Sequence, residues 1–322
     1  TTLEKSLPSL CYFDEEFYNK ELLEIWSKNW IYVCHKSRLN KKLSYETISL
    51  GKQSIIVLRD SKENLRAYFN TCRHRGSILC EKGSGKLNSK ALVCPYHQWS
   101  YHVDTGELLR IPSSSKMPDG FNKMNFSLFP VEIKEWRGCI FINLKNGVKW
   151  NKDSLFQRPP EAFKNFPIED MIVSNVWEKT INCNWKSFWE NFNECLHCPN
   201  IHPELTELVP MFTRRIINPQ DLSGWVPKTR ESDPKFSGGL KKGAETWSED
   251  GLAQGCQIDS LSENDLLKGH VYASSWPSMF IGGYSDHVRI VRVTPTESEK
   301  VTITSEWLFE VETLKNENYN KE

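Results

Sequence analysis

Cys72-Arg73-His74-Arg75-Gly76 and Cys94-Pro95-Tyr96-His97-Gln98-Trp99 carry the most information in this chain, with nineteen residues between His74 and Cys94. A Cys-x-His followed by a Cys-x-x-His offers two thiolates and two imidazoles. That set lets one iron of a [2Fe-2S] cluster be held by sulfur and the other by nitrogen. Two ligand pairs on two loops about twenty residues apart also describe a structural zinc ribbon, although zinc pairs more often read Cys-x-x-Cys. Arg73 and Arg75-Gly76 around the first pair, and Tyr96 and Trp99 around the second histidine, favour the cluster. Colour separates the two readings, since such a cluster is brown and zinc is colourless.

Working outward, 322 residues allow two domains or one large one. Lysine plus arginine and aspartate plus glutamate both number 41, so the formal charge is zero and no basic arm points to nucleic acid. Apolar runs such as Cys139-Ile140-Phe141-Ile142 are too short to span a bilayer, and Thr1-Thr2-Leu3-Glu4-Lys5 lacks the blocks of a secretory signal. Ten cysteines in a chain of this length read as metal ligands and buried thiols rather than a disulfide framework. These features imply a soluble, cytoplasmic protein that binds neither nucleic acid nor membrane.

Residues 13–29 read as an amphipathic helix capped by Asp14, with Phe17, Leu22, Leu23 and Trp26 on its buried stripe. Short alternating strands follow at 45–50, 54–58 and 65–69, and Asp104-Thr105-Gly106 signals a hairpin. A single strand over 136–143 closes this β-rich segment, whose loop tips carry the cysteine and histidine pairs. Residues 149–167 read as a linker or surface loop. Beyond them lie a strand at 172–181, a helix at 184–198, a polar and glycine-bearing stretch at 219–265, and strands at 270–273, 278–281, 288–294 and 301–308. The expected domains are an N-terminal segment (1–39), the cysteine- and histidine-bearing domain (40–147) and a second domain (148–322).

The helix at 184–198 runs into Glu194-Cys195-Leu196-His197-Cys198-Pro199-Asn200-Ile201-His202. Glu194 and His197, three apart, share one face of a continuous helix. Pro199 breaks that helix and frees His202 to turn back toward His197. Two histidines brought together in this way suit the histidine pair of a two-histidine, one-carboxylate iron site. Alone the pair is weak, and Cys195-x-x-Cys198 keeps a zinc or redox reading open.

The two motifs, in this order and about a hundred residues apart, resemble those of the Rieske non-haem iron oxygenases, as terminal-oxygenase alpha subunits. Trp136-Arg137-Gly138 and Gly243-Ala244-Glu245-Thr246-Trp247 extend the likeness. The resemblance implies an α+β fold: an antiparallel-β Rieske [2Fe-2S] domain plus a helix-grip catalytic domain with an antiparallel sheet. It implies that Cys72 and Cys94 hold one cluster iron, His74 and His97 the other, and that His197 and His202 bind a mononuclear Fe(II). Glu194 would link His97 of one subunit to His197 of its neighbour, which explains the family's rings of three. Most of the family has aspartate at this position. Glutamate resembles the subgroup acting on quaternary ammonium compounds such as betaines and carnitine. The family's third iron ligand lies on a helix after the last strand. Asp286, Glu310 and Glu312 do not match its position, so that ligand is expected beyond Glu322.

The remaining residues divide by role. Cys80, Cys11, Cys34, Cys139, Cys183 and Cys256 read as packed thiols. His35, His102, His270 and His287 read as ordinary polar or core histidines. Trp247, Trp276, Phe280 and Tyr284 are candidates for a pocket wall that would attract a trimethylammonium group, against the plainer reading of core aromatics. The resemblance implies electrons from NAD(P)H through a separate flavin and iron–sulfur reductase, a small-molecule substrate, O2 and a homotrimer. Hydroxylation of an N-methyl group, with loss of formaldehyde, is the leading expectation. Dihydroxylation or hydroxylation of an aromatic ring is the second, and a non-catalytic electron carrier or zinc-binding protein the third.

Overall fold

In the computed structural model, residues 5–112, 117, 119–152, 155–156, 160–213, 239–317 and 319 are described. Residues 219–238 of the polar stretch, and 153–154 and 157–159 of the expected linker, lie outside them. Among the described residues, fifteen strands form four antiparallel sheets.

β2 (Ser44–Leu50), β3 (Gln53–Arg59), β4 (Leu65–Phe69) and β5 (Ser84–Lys86) make one sheet in the order β4-β3-β2-β5. β6 (Ala91–Val93), β7 (Ser100–His102) and β8 (Leu108–Arg110) make a second. Strand β3 explains how two cores join. Its alternate residues point to opposite faces, and both faces are buried. Ile56 and Leu58 pack with Leu79, Trp99 and Tyr101 under the cysteine loops. Ile55 and Val57 pack instead with Trp185, Trp189 and Val291 of the following domain.

β1 (Ile31–His35) pairs with β10 (Cys139–Asn143), which pairs with β9 (Glu132–Trp136). The single strand expected over 136–143 is therefore a hairpin. Its turn is made by Arg137 and Gly138, both at positive φ (46° and 84°). A Cβ at position 138 would lie 2.3 Å from His35 Nε2, so only glycine fits. The Arg137 guanidinium donates to the carbonyls of Phe163 and Phe166 and to Glu169 Oε2 (2.8 Å). The Trp-Arg-Gly motif thus ties the hairpin to the segment leading into the last sheet.

That sheet runs β11 (Ile172–Ile181), β15 (Lys300–Phe309), β14 (Val288–Glu297), β13 (Met279–Tyr284), β12 (His270–Ser275). A buried charge network crosses from it to the first domain. Arg38 donates to Glu306 Oε1 and Glu46 Oε2, both at 2.9 Å, and Tyr32 O–H donates to Glu306 Oε2 at 2.5 Å. Charged groups this buried remain only where they are paired.

The N-terminal helix is broken into α1 (Leu10–Phe13), α2 (Glu15–Glu21) and a π-turn (Leu22–Trp26). Asp14 caps α2 as expected, accepting from Phe17 N at 2.7 Å. The wider turn shifts the phase, so Phe17 and Leu23 face outward while Tyr18, Glu21 and Trp26 are buried. Glu21 is held inside by Lys186 Nζ (2.8 Å) and Trp185 Nε1 (2.9 Å). Among the described residues no helix is long and apolar enough to cross a membrane.

Candidate metal centres

The two cysteine loops are matching turns. Cys72 N–H donates to Ser77 O and Gly76 N–H to Cys72 O, while Cys94 N–H donates to Trp99 O and Gln98 N–H to Cys94 O. Gly76 and Gln98 take positive φ (76° and 58°) to close them. Each turn buries its cysteine and leaves its histidine at the rim: Cys72 is 3% and Cys94 1% exposed. The His74 and His97 rings lie 4.9 Å apart, and His74 stacks on Trp99 at 4.8 Å.

The sulfurs receive hydrogen bonds. Tyr101 oxygen accepts from Arg73 N–H (3.0 Å), so its own proton is directed to Cys72 Sγ at 3.1 Å. Burial pushes the Cys72 thiol up, opposed by Tyr101 and the His74 N–H. At Cys94 burial also pushes upward, but the N–H groups of His97 and Tyr96, with Cys72 and Ser77, outweigh it and bring the thiol down. Arg73 locks the first loop, donating to Ser127 O and Asn125 O with its guanidinium 3.8 Å from the Phe129 ring centre.

A [2Fe-2S] cluster fits these residues. His97 Nδ1 is buried with no partner, as an atom reserved for a ligand would be. Among the described residues no three His, Cys, Asp or Glu converge as a single ion requires. Zinc draws four donors to one point. Here the two cysteines are buried and the two histidines lie toward the rim, which suits one iron held by sulfur and one by nitrogen.

The second centre begins with α3 (Trp185–Phe192), capped by Asn184, whose side chain accepts from Lys186 N at 2.9 Å. Trp185 and Trp189 are buried as their spacing requires. The helix ends at Phe192, six residues earlier than the periodicity suggests. Glu194 and His197 therefore sit in a turn rather than on one helix face, yet they touch. Glu194 Oε2 accepts from Leu196 N (2.5 Å) and Oε1 from His197 Nδ1 (2.6 Å). Those two bonds hold the Glu194 carboxyl below its usual range, the His197 contact contributing most. With Nδ1 donating, Nε2 of His197 is left as the free lone pair. Pro199 does not break a helix; it sits in the first turn of α4 (Cys198–Ile201), where a missing N–H costs nothing. His202 follows, between α4 and α5 (Pro203–Leu208). Its ring lies 5.6 Å from that of His197, at 74°.

Two imidazoles at one place fit two ligands of a mononuclear ion; the nearby carboxylates, Glu194 and Glu204, face the Nδ1 atoms of His197 and His202, and no group of three donors converges among the described residues. Asp286 is committed elsewhere, accepting from Thr246, His287 Nδ1 (2.7 Å) and Gln254 N (2.9 Å). Around the ligand turn, desolvation and then contact with Cys198 push the Cys195 thiol up to about 12.

The four candidate wall aromatics fall into two groups. Trp247 and Tyr284 (centroids 5.6 Å apart) join His270 and Tyr272, the two tyrosine hydroxyls 3.0 Å apart. Trp276 and Phe280 join Trp185, Trp189 and Phe192, with Phe192 stacked on Phe280 at 3.8 Å. Gly282 lies between Phe280 and Tyr284 on one face of β13, close to both Tyr272 and Tyr284. Tyr272, Tyr101 and Ser77 were not among the residues picked out by sequence. Only the alternation Trp99-x-Tyr101 hinted at Tyr101.

Residues 29–129 match the Rieske [2Fe-2S] domain family, and residues 163–322 match the family described as ring hydroxylating alpha subunit, catalytic domain. The two matches lie, in this order, on the segments that carry the two candidate centres. It is 34% identical over 200 residues to the glycine betaine monooxygenase oxygenase subunit of Pseudomonas aeruginosa, covering 62% of this chain and 45% of that protein. Against the carnitine monooxygenase oxygenase subunit of Acinetobacter pittii it is 30% identical over 209 residues, 63% of this chain and 54% of the relative. The chain thus aligns with about half the length of these curated relatives. Its fold is that of the quaternary ammonium Rieske monooxygenase CntA: TM-score 0.71 at 23% identity, covering 94% of this chain and 75% of that one.

Proposed function

We propose that the chain is the terminal oxygenase of a Rieske system that hydroxylates an N-methyl group of a quaternary ammonium compound, releasing formaldehyde. The observation that carries this reading is Glu194: a glutamate, half exposed, bonded to the Nδ1 of a candidate iron ligand. When bound, the cluster supplies single electrons and the mononuclear iron activates O2.

The chain's own residues do the rest. Cys72, Cys94, His74 and His97 hold the cluster, and Tyr101 and the loop N–H groups hold charge on its sulfurs. Glu194 fixes the tautomer and orientation of His197. His197 and His202 leave positions open for oxygen and substrate.

A homotrimer is supported by exposed apolar groups at both centres: Ile78 and Tyr96 beside the cluster loops, Leu196 and Ile201 beside the ligand turn. Covering one set with the other places Glu194 at the subunit boundary, next to the neighbour's His97. NAD(P)H electrons would arrive through a separate reductase. All ten cysteines are free, which suits a reducing, cytoplasmic setting.

For the substrate, Trp247, Tyr272 and Tyr284 offer ring faces, each worth roughly 0.5–2 kcal/mol to a desolvated trimethylammonium group. Trp276 and Phe280 form the second aromatic group. The hydroxylated N-methyl product collapses to formaldehyde and the demethylated amine. Incubation with a surrogate reductase and glycine betaine, carnitine or proline betaine tests the reading. Formaldehyde coupled to oxygen uptake is expected. A diol or phenol formed from an aromatic substrate, with no amine turned over, would replace it with ring hydroxylation.

A further inference from the structure

Cys195 and Cys198 lie on the ligand turn itself and have no part in the roles assigned above. Cys198 N–H donates to Cys195 O at 3.2 Å, the closing bond of a β-turn, which keeps the two Cα atoms within about 7 Å. A disulfide spans Cα separations of roughly 4.4–6.8 Å, so little backbone movement is needed to make one. Cys195 is exposed and Cys198 buried, an arrangement in which one sulfur meets an oxidant and the other resolves it.

We propose that Cys195 and Cys198 form a reversible disulfide under hydrogen peroxide, and that this bond weakens iron binding by His197 and His202. Hydrogen peroxide is what an oxygen-activating site releases when reduction of O2 is not followed by hydroxylation. The Cys195 sulfur attacks one peroxide oxygen, the O–O bond breaks, and the departing hydroxide takes the thiol proton and leaves as water. Cys195 is then a sulfenic acid. The Cys198 sulfur displaces its hydroxyl: the S–O bond breaks, the S–S bond forms, and a second water leaves. Two thiols have lost two electrons and one peroxide has become two waters.

Closing it draws the sulfurs to about 2.05 Å. Leu196 and His197 lie inside the loop that contracts. Metal ligands must hold position to within about 0.2 Å, so a contraction of this kind moves His197 off its place. The consequence for iron rests on His197 and His202 being its ligands.

The test exposes the purified, cluster-containing protein to excess peroxide for tens of minutes, alkylates the remaining thiols, and reads the peptide spanning 195–198 by mass. That peptide is expected to lose about 2 Da, two hydrogens, and to resist alkylation until a reductant is added. The same peptide in Cys195→Ser and Cys198→Ser does not close. Mononuclear iron affinity should fall about tenfold in the oxidised wild type, recover on reduction, and hold in Cys198→Ser, with the brown cluster absorbance retained throughout. Both thiols still alkylating after exposure would overturn the proposal, as would a closed disulfide with unchanged iron affinity. Failure of untreated protein to take up a third iron would instead sink the reading of the histidines, whatever the thiols do.

Discussion

The cluster cage and the ligand turn are built on opposite plans. Every candidate donor of the cage lies in two hydrogen-bonded loops, with the cysteines buried, the histidines at the rim, Tyr101 and Ser77 bonding the sulfurs and Arg73 holding the first loop. The ligand turn offers two imidazoles, with Glu194 on the Nδ1 of His197 and Glu204 3.9 Å from that of His202, and no group of three donors converges there among the described residues. A centre that finishes itself is rigid and can be read locally. A centre that leaves groups facing outward is completed by something else: in this account, the neighbouring subunit.

That contrast breaks most completely by removing ligands. Cys72→Ala is expected to abolish the brown absorbance outright, while His197→Ala with His202→Ala keeps the colour and loses only the third iron. Visible spectra with metal analysis decide this, and a zinc-containing, colourless wild type would end the cluster reading. Next in size, Glu194→Gln should cut turnover by roughly a hundredfold or more, on the order of 3 kcal/mol, with the metal content of the wild type. Unchanged turnover would remove Glu194 from the electron route.

A smaller effect sharpens how the two domains hold together. Burial pushes the Glu46 carboxyl up to about 7, with Arg38 opposing. Its unfolded form gives up the proton near 4.5, so the stability it contributes is present at low pH and lost as pH rises toward 7. The loss is about 3 kcal/mol at most. Burial pushes His35 down to about 4, and its contribution runs the other way, present above about 6.5 and lost as pH falls toward 4. Glu46→Gln should therefore leave stability rising more steeply between pH 4.5 and 6.5 than in the wild type, measured by denaturant unfolding. Smallest of all, Tyr101→Phe removes one hydrogen bond to Cys72 Sγ, worth about 1 kcal/mol. The cluster potential should drop by roughly 40 mV on that basis, a shift that no change at the ligand turn should cause.

The same contrast explains what the sequence disclosed. Each cage pair sits within a few residues of its partner, and Gly76 marks a turn, so loop and chemistry could be read together. The strands were legible from β-branched and apolar runs bounded by turns, with alternation surviving only locally, as at Ile48-Ser49-Leu50, buried, exposed and buried at the end of β2. The ligand turn was less so. Helical periodicity continues through Leu196 and no glycine or proline precedes Pro199, but Glu194 bonds its own backbone at Leu196 N, competing with the helix. The hairpin at Arg137-Gly138 was missed because the apolar run after Gly138 reads on from Trp136 as one strand, and the close approach of His35 that requires a glycine there comes from another strand. The split of the wall aromatics depends on Gly282 and on tertiary neighbours that no local pattern encodes.

The subunit-crossing claim is tested most directly by mixing. Cys72→Ala chains, which have no cluster, and His197→Ala/His202→Ala chains, which have no mononuclear iron, are each predicted to be inactive alone. Mixed assemblies of trimer size should regain turnover, because an intact cluster then faces an intact iron site across a boundary. Mixed trimers that stay inactive while wild-type chains treated in the same way work would contradict the account.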